Sequence, residues 1–104
     1  MTIVVSPSAF GKLREIIEKF KGEKVIITTY GVSYALENKI DIDFALDLGA
    51  KVRAYSHKPS KVSNLSIYES EALLVAKDIE AVLVVGDEKV KEEAEKMGVK
   101  AILV

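Results

Sequence analysis

The chain has no cysteine, tryptophan or glutamine, one histidine and two prolines. Without cysteine there are no disulfides and no thiolate chemistry. The lone His57 has no acid or serine at a spacing that would make it half of a nucleophile–base pair. No apolar run reaches the roughly 18 residues that a membrane span needs. The N-terminus shows no basic segment leading into a long apolar one, so a cytoplasmic address without membrane attachment is expected. Net charge is −1, from 15 basic and 16 acidic residues. That balance excludes a global field drawing the protein onto nucleic acid, and any such contact must be local. No glycine-rich phosphate loop is present, because Gly11 and Gly31 stand alone.

What is there is an alternation. Apolar runs at Ile3–Val5, Lys24–Thr28, Lys51–Tyr55, Ala81–Val85 and Lys100–Val104 are separated by segments of helical periodicity. This is the pattern of successive βαβ units and a parallel sheet in one domain spanning 1–104. The second, fourth and fifth runs are almost continuously β-branched or apolar, as strands covered on both faces are. Ser6-Pro7 reads as an N-cap and first-turn proline for a helix carrying Phe10, Leu13, Ile17 and Phe20 on one face. Residues 30–48 read as helix broken near Asn38, with Phe44, Ala45 and Leu48 inward and Gly49 as terminator. Ser66-x-x-Glu69 is a capping box that opens a helix running to about Ile79. Asp87 reads as cap of a last helix with Val90, Ala94 and Met97 as its apolar stripe and Gly98 as its stop. The abundance of Val, Ile, Lys and Glu suits a thermophile.

In an open parallel sheet, ligands bind beyond the carboxyl ends of the strands where strand order reverses. The residues expected there are Ser6 and Ser8, Thr28 to Tyr30, and Gly86 and Asp87. Three stretches, in this order, carry a resemblance. They are Val4-Val5-Ser6-Pro7-Ser8-Ala9, Leu65-Ser66-Ile67-Tyr68-Glu69-Ser70-Glu71-Ala72, and Val82-Leu83-Val84-Val85-Gly86-Asp87. With the closing helix, glycine and strand of Ala94–Ile102, the chain resembles PIN-like domains over nearly its whole length. These are small nucleases that include toxin–antitoxin toxins and ribosomal RNA processing enzymes.

The resemblance implies a three-layer α/β/α fold with a five-stranded parallel sheet in the order 3-2-1-4-5. It matches Glu71 and Asp87 to two of the family's four metal-site acids and Ser8 to its hydroxyl residue. Ser6 stands where the first aspartate belongs, and Ala35 is the nearest match to a second missing acid. Ser6, Glu71 and Asp87 are then the expected metal-site residues, with Glu71 and Asp87 catalytic. The expected function is a weak or inactive Mg²⁺- or Mn²⁺-dependent ribonuclease, its ion weakly bound, retained for RNA or protein binding. Two carboxylates are few for a hard cation that must also activate water. Glu37, Asp41 or Asp43, on the broken second helix, would be the substitutes for the missing acids.

Each of these residues has a plainer reading. Ser6 and Asp87 serve as N-caps, and Glu69 serves as the capping-box partner of Ser66. Glu71 shares its helical row with Ile67 and Leu74 and is the sharper candidate. Ser8 and the locally basic run containing Arg53, Lys58 and Lys61, with Tyr55 interleaved, are the substrate-binding candidates, since phosphate contacts come from such groups. A solvated loop flank explains the same run. Tyr30 and Tyr34 read as packing or interface residues. RNA, an antitoxin-like protein and a second copy of the chain are the expected partners. Two readings stand beside this one: a non-catalytic module of flavodoxin-like order 2-1-3-4-5, and a self-associating structural protein.

Overall fold

The computed structural model describes all 104 residues. Five strands form one wholly parallel sheet: β1 (Thr2–Val5), β2 (Lys24–Thr28), β3 (Lys51–Arg53), β4 (Val82–Val85) and β5 (Ala101–Leu103). The order is β3-β2-β1-β4-β5. It is the order implied by the resemblance and it excludes the 2-1-3-4-5 alternative. Val5 lies beside Ile27 on one side and Val84 on the other, so β1 is the central strand.

Strand residues alternate between two cores, as a two-residue period requires. Ile3, Val5, Val25 and Ile27 face Phe10, Leu13, Ile16, Ala35 and Ala45. Val4, Ile26, Leu83 and Val85 face Ala72, Leu73, Val75, Val90 and Ala94. The first layer is built by α1 (Leu13–Lys19), α2 (Thr29–Glu37) and α3 (Asp43–Asp47), and the second by α4 (Ile67–Asp78) and α5 (Glu88–Lys96). No helix is long and apolar enough to cross a membrane.

The structure departs from the sequence reading in four places. Pro7–Lys12 winds as a 3-10 segment before α1 begins. Gly11, a poor helix former, lies inside it. Ser6 has extended backbone but makes no side-chain cap; its hydroxyl is used elsewhere. β3 stops at Arg53, two residues early, because the chain turns at Tyr55 toward α4. Leu48 points outward, 68% exposed, while Ala45 fills the core. The predicted break after α2 is present: Asn38 ends the helix and Lys39 takes a left-handed φ of 54°. Gly49, φ 108°, ends α3 in the same region of conformation.

Because β2 and β3 lie on one side of β1 and β4 and β5 on the other, the crossover direction reverses between β1 and β4. The turn after β1, the start of α4 and the exit of β4 meet at that point.

Candidate functional site

The turn after β1 and the exit of β4 touch directly. The Gly86 N–H donates to Ser8 Oγ at 3.0 Å, and Ser8 Oγ lies 3.5 Å from Ser6 Oγ as donor. A Cβ on Gly86 would stand 2.1 Å from the Ser8 carbonyl oxygen. Glycine at 86 is therefore a requirement of close approach. Gly86→Ala is expected to force the two backbones apart and cost about 1–3 kcal/mol, the range of an overpacked contact. Urea denaturation checks this, and an unchanged midpoint would mean that the turns do not meet.

The relay ends on α4. Ser6, fully buried, donates its hydroxyl to Glu69 Oε1, and the Ser8 N–H donates to Glu69 Oε2 at 2.9 Å. One turn along the sheet edge the same arrangement repeats with Glu71. Its Oε1 accepts the Tyr30 N–H at 2.7 Å and its Oε2 accepts the Thr29 hydroxyl at 2.8 Å and the Tyr55 N–H at 3.5 Å. Ser8 is the second residue after Ser6, and Tyr30 the second after the N-cap Thr28. These are positions whose amides have no partner within their own helical segment. So α4 supplies two carboxylates that satisfy the first turns following β1 and β2.

The hydrogen bonds assign the two acids of α4 to different turns. Glu71 is 1% exposed and engaged by three donors on the β2–β3 side. Glu69 is the carboxylate that meets Ser6 and Ser8. The expected capping box is only half made: Ser66 Oγ accepts the Glu69 N–H at 3.2 Å, but the Glu69 side chain turns to the β1 turn instead of back to Ser66. The signal was available. Residues two apart on a helix lie about 200° around its axis, so Glu69 and Glu71 cannot serve one crevice together.

Asp87 caps α5, its Oδ1 accepting the Lys89 N–H at 2.8 Å. Its charge is felt at Glu69. Burial raises the Glu69 carboxyl above its ordinary 4.5; the Ser6 and Ser8 hydrogen bonds pull it back in part, and Asp87 pushes it further up. The folded chain thus holds this proton more tightly than the unfolded chain. The stability Glu69 contributes is complete below 4.5 and is lost as pH rises through the folded value. Glu69→Gln can keep the Ser8 N–H on its carbonyl and donate its amide to Ser6. It is expected to remove that fall, measured as Tm against pH from about 4 to 7. A variant with the same slope as wild type would refute the assignment.

The remaining expected residues are dispersed. Ala35 is buried in the core. Its neighbour Tyr34 lies edge-on between Phe10 and Tyr68, with ring centroids at 6.2 and 5.6 Å, and Tyr30 meets Tyr68 at 6.4 Å. The two tyrosines read as packing residues do pack, in an aromatic row joining α2 to the start of α4. Glu37 accepts the Tyr68 hydroxyl at 2.7 Å, which raises that hydroxyl above its usual 10. Asp41 accepts the Asp43 N–H at 2.9 Å. None of Glu37, Asp41 and Asp43 joins Glu69 and Asp87, for no three acids, histidines or cysteines come together as a metal-holding group anywhere in the chain. Arg53, Lys58, Lys61 and His57 are exposed on the β3 edge and the segment after it. Two carboxylates, each already accepting a backbone N–H, do not fit a resident divalent ion. Such sites demand several hard, mostly anionic oxygens.

No protein-family model and no curated protein matches the chain. Solved structures do. One is a PilT N-terminus domain protein from the hyperthermophilic archaeon Sulfolobus solfataricus P2. It is 54% identical over 99% of this chain and 87% of its own length, with a TM-score of 0.93. Another is a domain of a functionally unknown protein from Methanocaldococcus jannaschii DSM 2661. It matches 99% of this chain and 90% of its own at a TM-score of 0.71, and at 21% identity it speaks for the fold alone. The strand order, the crevice between β1 and β4, and a relative this similar over nearly the full length agree: the chain belongs to the PIN, or PilT N-terminus, domain family.

Proposed function

We propose that this chain is a PIN domain with an eroded metal site, a ribonuclease of little or no activity retained for binding RNA or a protein partner. One observation carries the reading. The crevice holds two carboxylates, Glu69 and Asp87, each already accepting a backbone N–H, and a serine hydroxyl from residue 6 faces Glu69. Hydrolysis of a phosphodiester needs cation charge on the developing oxyanion and an activated water. Any Mg²⁺ or Mn²⁺ held by Glu69 and Asp87 would compete with the Ser6 and Ser8 donors for the same oxygens, and would bind weakly. For RNA, the exposed Arg53, Lys58 and Lys61 are the phosphate contacts of this reading. For a protein, an antitoxin-like chain is the partner.

The test is cleavage of single-stranded RNA with Mn²⁺ by wild type, Glu69→Gln and Asp87→Asn. The three are expected to show no common, acid-dependent rate above buffer. Mn²⁺-dependent cleavage by wild type that both variants lose would overturn the erosion and restore an active site at these two acids.

A further inference from the structure

β3 is an edge of the sheet and pairs with β2 alone. At the other edge α5 packs on β5, whose Ala101 and Ile102 are half-buried. Lys51, Val52 and Arg53 are all exposed, Val52 by 47%. An edge strand presents a row of unpaired N–H and C=O groups to an incoming extended chain. The register sets Val52 beside Ile27, on the face of α1 to α3, and Lys51 and Arg53 beside Ile26 and Thr28, on the face of α4. Between Asp47 and Glu69 the chain carries Lys51, Arg53, Lys58 and Lys61 and no acid, a local charge of +4 in a protein whose whole charge is −1. None of these four cations is in an ion pair; the pairs present are Met1 with Glu23 and Lys96 with Glu93. From α4, Asp78 accepts the Ser56 hydroxyl at 3.1 Å and Glu71 accepts the Tyr55 N–H, so neither acid is spent on the cations.

We propose that the β3 edge takes an acidic extended segment of a partner polypeptide as a sixth strand. The segment would carry a β-branched residue beside Val52 and Asp or Glu on either side of it, beside Lys51 and Arg53. In strand addition, main-chain hydrogen bonds supply affinity and alternate side chains supply specificity. Here the alternation is written on the edge itself: a cation, an exposed apolar side chain, a cation. The cations are uncompensated, so the complementary strand is acidic. The same residues turn away a second copy of this chain. Antiparallel pairing of β3 with itself about Val52 would set Lys51 against Arg53, and like charges directly opposite destabilise a ladder. RNA would meet the cations through their side chains and leave Val52 and the backbone edge unused. This occupant rests on the binding reading above only for the existence of a protein partner. The edge uses none of Ser6, Ser8, Glu69 and Asp87. RNA cleavage, if found, therefore leaves it standing, and its own failure leaves the eroded metal site standing.

The experiment is an amide NMR titration of the intact chain with a synthetic peptide of about seven residues in which glutamate and valine alternate. One control peptide has lysine for glutamate. A second has proline for valine, which keeps the charge and removes ladder donors. A uridine oligonucleotide of equal charge is the remaining probe. The glutamate–valine peptide is expected to bind, with shifts centred on residues 51–55 and slower amide exchange there. The lysine peptide should not bind, and the proline peptide should bind at least tenfold more weakly, about 1.4 kcal/mol. Lys51→Glu together with Arg53→Glu should reverse the preference, so that the lysine peptide binds and the glutamate peptide does not. Both side chains are exposed, so Tm should hold. Shifts centred elsewhere, equal binding of the proline peptide, or no reversal in the double variant would each overturn the proposal. Tighter binding of the oligonucleotide on the same amides would overturn it too, since the edge would then belong to RNA. So would a wild-type dimer in light scattering that the glutamate–valine peptide disperses, since the edge would then belong to a second copy.

Discussion

Ser6→Asp is expected to destabilise the metal-free protein and to make its stability depend on Mn²⁺. Ser6 is fully buried and its hydroxyl donates to Glu69. A carboxylate there removes the donor and sets a second negative charge against the first, in a place already raised toward protonation by burial and by Asp87. An uncompensated buried charge of this sort costs about 3–5 kcal/mol. For a domain of this size that is a fall in Tm on the order of 15 °C in EDTA. Mn²⁺ is expected to offset much of that loss. The introduced acid, Glu69 and Asp87 would give a hard cation three carboxylates in place of two. Binding to the folded state alone stabilises by about 2.7 kcal/mol at 100 times the dissociation constant. Wild type is expected to respond to Mn²⁺ far less. Calorimetry of both proteins in EDTA and in Mn²⁺ gives four midpoints. An equal Mn²⁺ increment in wild type and variant would mean that residue 6 is not the missing ligand position.

The fold was legible because its signals are local and redundant. Each strand is an apolar run set between helical patterns. The break after Asn38, the Gly49 and Gly98 stops and the Ser66 and Asp87 caps all depend on single residues whose backbone or side-chain preferences are strong. The strand order came from the resemblance, and neighbour pairing could not have been read from periodicity. The site was half legible. Asp87, Ser6 and Ser8 stand at the strand ends as expected, because position along a strand fixes the edge a residue reaches. Glu69 and Glu71 cannot be told apart from sequence because a capping box and a buried acid at the start of a helix look alike in one dimension. Which of two carboxylates faces β1 and which faces β2 depends on how α4 is rotated on the sheet. That rotation is set by Ala72, Leu73, Val75 and Ala76 packing on Val4, Ile26 and Leu83. Glu37 is left out for the same reason, since α2 turns Ala35 into the core and leaves its polar side to the outer face, while Asp41 and Asp43 lie beyond α2 at the entry to α3.

Glu71→Ala is expected to be among the most destabilising single substitutions in the chain, without any metal being involved. Glu71 is 1% exposed, and it joins three segments that are distant in sequence: α4, the start of α2 at Thr29 and Tyr30, and the exit of β3 at Tyr55. Removing it leaves the Tyr30 and Tyr55 amides without their acceptor and opens a void under them. Each orphaned donor costs about 1–3 kcal/mol, and the void adds to it. The sum, about 3–6 kcal/mol, is a large part of what holds a domain of this size together. Glu71→Gln keeps the shape and one acceptor. It can hold the Tyr30 N–H on its carbonyl and offer its amide to the Thr29 oxygen, but it turns that amide toward the Tyr55 N–H. About 1–2 kcal/mol is expected for it. Urea denaturation in EDTA measures both, and amide exchange at Tyr30 and Tyr55 should quicken before that of the β1 amides. A metal-site carboxylate behaves in the opposite way. Deleting one relieves repulsion in the metal-free protein and does not weaken it. A Glu71→Ala protein as stable as wild type in EDTA would therefore return Glu71 to the crevice and remove the structural role given to it here.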